Sequence, residues 1–191
     1  EATDFHIKWS KGDRISINGN AYYTSFHDDV QETTFTCSGD EVGPQEDSPL
    51  YEAFFPHTIV YMDEWNGVSL SLPVNQSFTE PEGIRIPMYA CSDTHELEFK
   101  FLTGVLDIKL YVRTDSLAIR RVSLKSSDAL SGRFSISDGK AVMEGNVGST
   151  RMIIDRTIHT SSPLDICFNI PEGEYTDLSI CIEAENGAEI S

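Results

Sequence analysis

Four cysteines, five histidines and a surplus of carboxylates are the residues of this 191-residue chain that could do chemistry. Their spacing decides what kind. Cys37, Cys91, Cys167 and Cys181 are scattered, with no CxxC pair and no Cys/His group at ligand spacing, so a structural zinc site is not expected. His6, His27, His57, His95 and His159 are dispersed and form no i,i+4 pair. His27 stands beside Asp28 and Asp29, but adjacent residues of a strand point to opposite faces, which favours a surface loop over an oriented base or a metal ligand. The GxSxG, HExxH, P-loop and GxGxxG patterns are absent, and the reading is of a non-enzymatic chain with no cofactor and no metal. Carboxylate pairs of the glycosidase kind are set by distance in space and leave no mark on sequence. Asp40, Glu41, Glu46 and Asp47 share the polar stretch 38–49, whose spacing fits no EF-hand and reads as a solvated loop.

Charge narrows the partners. There are 31 acidic residues against 14 basic ones, a formal charge of -17, so a nucleic-acid backbone or an anionic membrane would repel most faces. No apolar run approaches the roughly 18 residues that a membrane helix needs. Glu1 opens the chain without a charged n-region and apolar core, so the expectation is an exported protein whose signal is not in this chain.

The elements that must position any site are strands. Alternation with period two recurs in Phe5, Ile7 and Trp9; Ile15 and Ile17; Val68, Leu70 and Leu72; Leu97, Phe99 and Phe101; and Leu106, Ile108, Leu110 and Val112. Between the sets stand Lys11-Gly12-Asp13, Asn18-Gly19, Asn66-Gly67, Asp138-Gly139 and Asn186-Gly187, which tolerate the positive φ of tight hairpins. No long amphipathic helix is evident. Short strands at this spacing predict an all-β chain built as sandwiches. The polar break Cys91 to Glu96 places a boundary near mid-chain, giving domains 1–94 and 95–191.

Near the C-terminus, Leu164, Ile166, Phe168 and Ile170 form one alternating strand, Pro171 to Glu174 a turn, and Leu178, Ile180 and Ile182 a return strand. Cys167 and Cys181 lie on the opposite face, symmetric about Glu174. If that hairpin closes symmetrically the two face each other at a Cα separation of about 4.5 to 5.5 Å, within disulfide range; the alternative is two unpaired thiols. Asn186-Gly187 then starts a hairpin that only Ala188 to Ser191 follow, so the last sheet is expected to stop in mid-strand, and either the native chain continues beyond Ser191 or the sheet is left open for another strand to complete. Such an edge is a template for strand addition.

Several stretches, in order along the chain, resemble the fimbrillin-like family of Bacteroidales surface proteins, which holds major and minor fimbrial subunits and related adhesins. They are Trp9-Ser10-Lys11-Gly12-Asp13-Arg14-Ile15, Tyr51-Glu52-Ala53-Phe54-Phe55-Pro56, Val68 to Pro73 followed by Gln76, Pro87-Met88-Tyr89-Ala90, Leu97 to Leu106, Leu130-Ser131-Gly132-Arg133-Phe134 and Phe168 to Tyr175. The resemblance implies two tandem transthyretin-like Greek-key β-sandwich domains, export as a lipoprotein and display at the outer membrane, with a lipid anchor as the only membrane attachment. It implies a role in cell adhesion as a pilus subunit that accepts a strand from another subunit after proteolysis near its first strand. Lys8, Lys11 and Arg14 are the basic candidates for that cut. A host or bacterial surface protein or a glycan is the further partner expected.

The alternative is a carbohydrate-binding module that stacks sugars on Trp9, Tyr22, Tyr23, Tyr51, Phe54, Phe55, Tyr61 or Trp65. Most strand aromatics serve packing. Trp65, in the polar turn Asp63-Glu64-Trp65-Asn66-Gly67, is expected to be partly exposed and to contact a ligand or a neighbouring subunit. In a Trp9→Phe variant the remaining tryptophan should emit at long wavelength and be quenched readily by iodide; blue-shifted, quencher-resistant emission would overturn its exposure.

Overall fold

A computed structural model describes residues 8–24, 30–37, 50–63, 67–77, 84–113, 115–145 and 147–191. His6, the His27-Asp28-Asp29 run, the loop 38–49 and Trp65 lie outside the described residues. The described chain is all-β, apart from one 3-10 turn at His57–Ile59. In order, the strands are β1 (Arg14–Ile17), β2 (Asn20–Thr24), β3 (Phe35–Cys37), β4 (Tyr51–Phe55), β5 (Val60–Asp63), β6 (Gly67–Leu72), β7 (Asn75–Gln76), β8 (Met88–Ser92) and β9 (Lys100–Phe101). There follow β10 (Gly104–Leu110), β11 (Ser116–Lys125), β12 (Gly132–Ser137), β13 (Lys140–Met143), β14 (Ser149–His159), β15 (Leu164–Ile170), β16 (Ser179–Ala184) and β17 (Glu189–Ile190). The chain divides into two compact units, Glu1–Val68 with Met88–Lys100, and Ser69–Pro87 with Phe101–Ser191. In place of one crossing at residues 94/95, the division assigns 69–87 to the second unit. The reason is hydrogen bonding, since β6 pairs with β12 and β7 with β14.

In unit 1 the strands run antiparallel in the order β3-β2-β1-β4-β8. The β1–β2 hairpin closes through Asn18 and Gly19 at φ 46° and 84°, the two left-handed residues that a type I′ turn requires. Asn18 does more than turn. Its backbone N–H donates to Glu52 O at 2.9 Å, and its Oδ1 accepts the Glu52 N–H at 2.9 Å, tying the turn to β4. The core gathers Ile15, Tyr22, Phe55 and Met88 around Trp9, whose indole meets the rings of Phe35, Phe55 and Phe99 edge-on at 5.0 to 5.2 Å. The turn preceding β1 is locked by its own polar groups. Ser10 N–H donates to Asp13 Oδ2 at 2.8 Å, Asp13 N–H to Ser10 O at 3.0 Å, and Thr24 Oγ1 to Ser10 O at 2.9 Å. Gly12 takes φ 82° there, so the Trp-x-x-Gly-Asp spacing has a complete local explanation.

Unit 2 places the sheet β17-β16-β11-β14-β7 against a two-stranded ribbon, β10-β15. A further ladder runs β13-β12-β6. Between ribbon and sheet lie Ile119, Val122 and Leu124 of β11, Met152 and Ile158 of β14, Ile108 of β10 and Leu164, Ile166 and Phe168 of β15. The alternation predicted for this strand is the burial observed from Leu164 to Phe168, with Asp165 exposed and Cys167 half-buried between the apolar positions; it breaks at Asn169, which is buried, and at Ile170, which is half-buried. The register of β11 with β14 shifts between Ile119 and Arg121, where Asp155 adopts φ 43°, a bulge that re-aims the long strands.

The expected hairpin of residues 164–182 is corrected. β15 pairs with β10, which sets Cys167 opposite Asp107, and β16 pairs with β11, which sets Cys181 opposite Ser123. The segment between them crosses from one sheet to the other, held by Tyr175, whose hydroxyl donates to Pro171 O at 2.6 Å and whose ring packs on the core. Local symmetry about Glu174 carries no information on these non-local partners. All four cysteines are free thiols.

One glycine is fixed by close approach. A Cβ on Gly148 would lie 2.0 Å from Ser126 O, which also sits beside the bond from Ser126 N–H to Gly148 O at 2.9 Å. Gly148→Ala should therefore lose on the order of 2–3 kcal/mol of stability. Gly173→Ala, where a Cβ meets nothing within 4 Å, should stay within about 0.5 kcal/mol. Urea midpoints at unchanged slope check both.

Candidate strand-acceptor site

The two layers of unit 2 are unequal, and the inequality makes the site. Strands repeat about every 4.8 Å across a sheet, so a two-stranded ribbon covers less than half of a five-stranded one. Its lateral position is set on the β15 side. Gln76 of β7 donates through Nε2 to Asn169 O at 2.7 Å, and its Oε1 accepts the Asn169 N–H at 2.8 Å. The ribbon therefore lies with β15 toward β7, and the inner face of β16 and β17 extends beyond β10.

That uncovered face is apolar. Ile180 and Ile182 stand opposite Leu124 and Val122, and Ile190 opposite Ile182, so all three belong to the core-facing side. Yet Ile180 is 36% and Ile190 50% exposed, against 0% for Val122 and Leu124. β17 pairs only with Ile182 and Glu183, and among the described residues no strand covers the outer edge of Ser179, Ile180 and Cys181.

The ribbon presents a matching edge. Because Asn169 directs its N–H and C=O at Gln76, the residue opposite it, Val105, also directs its own away from the pair, and the antiparallel alternation repeats this at Asp107 and Lys109. Among the described residues no strand lies beyond them. The exposed faces at these positions carry charge: Lys109 Nζ pairs with Asp165 at 3.2 Å, and the Cys167 thiol donates to Asp107 at 3.6 Å. A free ladder edge beside an uncovered apolar face is the geometry into which an added strand fits: backbone to β10, side chains onto Ile180 and Ile190.

The residues predicted from sequence fall elsewhere. Lys8, Lys11 and Arg14 are all exposed in unit 1, but they differ in setting: Lys11 in the locked turn, Arg14 inside β1 opposite Tyr23, and Lys8 just ahead of Trp9. Of the aromatics offered for sugar stacking, Trp9, Tyr22, Phe54 and Phe55 are buried, and Tyr51 is half-buried with its hydroxyl 2.6 Å from His95 Nε2. Tyr23 and Tyr61 are exposed, and Trp65 is outside the described residues. Gln76, which positions the ribbon, stood in the sequence only as part of a run, and nothing marks a glutamine as a partner for a strand 93 residues away. No group of cysteine, histidine and carboxylate side chains among the described residues could hold a metal ion.

Searches of protein-family models, of curated proteins and of solved structures return no match for this chain.

The thiols offer a direct check on the corrected pairing. Burial first, and then the Asp107 carboxylate, push the Cys167 thiol up to about 11. Its thiolate is thus scarce at pH 8 and grows as the pH climbs towards that value. Iodoacetamide at pH 8 should label exposed Cys91 long before Cys167, and Asp107→Asn should speed labelling of Cys167 in the folded protein. A Cys167–Cys181 bridge found by non-reducing peptide mapping would refute the strand pairing.

Proposed function

We propose that this protein is an exported cell-surface subunit that assembles by strand addition and serves adhesion, as a fimbrillin-like pilus component. The observation that carries the reading is the free β10 edge beside the uncovered Ile180 and Ile190 of the facing sheet. An added strand would complete the ribbon's ladder and cover an apolar face in one step, each buried CH₂ group contributing about 0.8 kcal/mol. The ordered fimbrillin-like stretches of the sequence support the same reading, with two transthyretin-like Greek-key sandwich domains as the architecture it carries. Its partners are other pilus subunits by strand addition, and a host or bacterial surface protein or glycan as the adhesive target. Maturation by an Arg- or Lys-specific protease near β1 belongs to this reading. Arg14 can be cut only after β1 leaves its ladder, whereas Lys8 and Lys11 are exposed outside the strands.

The protein treated with such a protease should give a ladder on denaturing gels that survives unboiled and collapses on boiling, with filaments in electron micrographs. The double variant Ile180→Asp, Ile190→Asp should remain folded, because both side chains already meet water, and should lose the ladder. Undiminished assembly by that folded variant would remove the acceptor from β10 and β16. A lone monomer from the unsubstituted protein under every protease condition would remove the assembly reading itself.

A further inference from the structure

We infer that the Gln76 side chain is a guard: it occupies the β15 edge as a one-residue surrogate strand and closes that edge to strand addition, so that the ribbon accepts a strand only along β10. This rests on the strand-addition reading for its biological meaning, but not for its geometry. A two-stranded ribbon has two edges, and by the alternation established at Asn169 the β15 residues facing outward are Asp165, Cys167 and Asn169. Left bare, that edge would be as good a template as β10.

A primary amide carries its carbonyl and one N–H on the same side, as one residue of a strand presents its own N–H and C=O to an antiparallel partner. Gln76 uses it so: Nε2 donates to Asn169 O at 2.7 Å while Oε1 accepts Asn169 N–H at 2.8 Å. The second amide hydrogen goes to Thr150 Oγ1 at 3.0 Å, whose own hydrogen goes to Val74 O at 3.1 Å. Gln76 and Asn169 are each 8% exposed and Thr150 0%, so these bonds have no water to fall back on. The guard is itself anchored. Its backbone lies in β7 against β14, Arg151 N–H donates to Val74 O at 2.8 Å, and Arg151 Nε donates to Asn75 Oδ1 at 2.6 Å. Beyond it, Asn169 Nδ2 donates to Arg85 O at 3.0 Å, so residues 74–76 and 85 hold this flank from two directions. An incoming strand would have to break the buried amide pair before it could bond to Asn169, and short of that it could run only along Asp165 and Cys167.

Closing one edge has a consequence for assembly. With both edges open, two copies could pair β15 to β15 about a two-fold axis and stop at a dimer. With β15 closed, that dimer is removed and the ribbon pairs only along β10, where a strand donated by another copy makes a head-to-tail contact that leaves the donor's own β10 free and so continues.

The test uses the chain with Cys37, Cys91 and Cys181 changed to Ser, so that Cys167, near the middle of the β15 edge, reports β15-to-β15 pairing by oxidative cross-linking. With Gln76 present the cross-linked dimer should be scarce; Gln76→Ala should raise it severalfold, and Gln76→Asn, whose shorter amide falls short of Asn169, should do the same. Amide hydrogen exchange reads the guard without any substitution: the Asn169 N–H should exchange at least ~100-fold more slowly than its unstructured rate. An unprotected Asn169 amide, or folded Gln76 variants with no gain in cross-linking, would overturn the guard. Should Gln76→Ala not fold, the exchange result decides alone. A protein that never forms a ladder yet shows a protected Asn169 and a released Cys167 cross-link would lose the assembly reading and keep the guard.

Discussion

The second unit depends on one buried exchange of hydrogen bonds, the Gln76 amide against the peptide groups of Asn169. It fixes where a narrow ribbon lies over a wide sheet. Each bond contributes about 1 kcal/mol net, but removing the amide would strand the buried N–H and C=O of Asn169 at roughly 1–3 kcal/mol apiece, while Thr150 would keep its bond to Val74 O. Asn169 Oδ1 is already buried without a partner among the described residues, so the network has no slack to absorb a further loss. From that registration the rest follows: β15 against the sealed flank, β10 inboard of it, and Ile180 and Ile190 left partly in water with no strand of the described residues over them.

Unit 1 uses polar side chains differently, to set turns rather than layers. Asp13 closes the turn ahead of β1 and Asn18 the one after it, so both ends of that strand are held before its neighbours are considered. Trp9, bridged to Val30 by reciprocal backbone bonds of 2.7 and 3.1 Å, then carries the aromatic cluster at the start of the chain's described portion. A cut at Lys11 would separate this indole from β1 in sequence while leaving it packed against Phe35, Phe55 and Phe99. Release of the first segment therefore has a cost set by aromatic packing, on the order of 3–5 kcal/mol for a buried tryptophan.

Much of this was legible in the sequence where the rule is local. Period-two alternation placed the apolar faces of β10 and β15, and Asn18-Gly19 and Asp138-Gly139 adopt the paired positive φ values that such dipeptides favour. Pairing was not legible, because it is a matter of distant partners: the same alternation in residues 164–182 fits a hairpin and a crossover between sheets equally well. The Cys167–Cys181 expectation failed with the hairpin, and the site was hidden for the same reason. Ile180 reads as core by its phase, and only the width of the ribbon opposite leaves it in water.

A chain of formal charge -17 gains little from chance encounters with its own copies, since they repel over the roughly 8 Å that physiological salt leaves unscreened. Non-specific association through Ile180 and Ile190 alone would have to overcome that repulsion with a small apolar area. A ladder of backbone bonds adds a directional term that acidity does not weaken, and it is available only where an edge is both free and flanked by apolar surface. At β10 both conditions hold; at β15 the Gln76 amide removes the first. Charge, ribbon width and one amide thus act on the same quantity, the number of ways two copies can pair, and together they reduce it. A strand added there would leave only by breaking the whole ladder at once, so an assembly of the proposed kind would be held by the height of that barrier rather than by its equilibrium affinity.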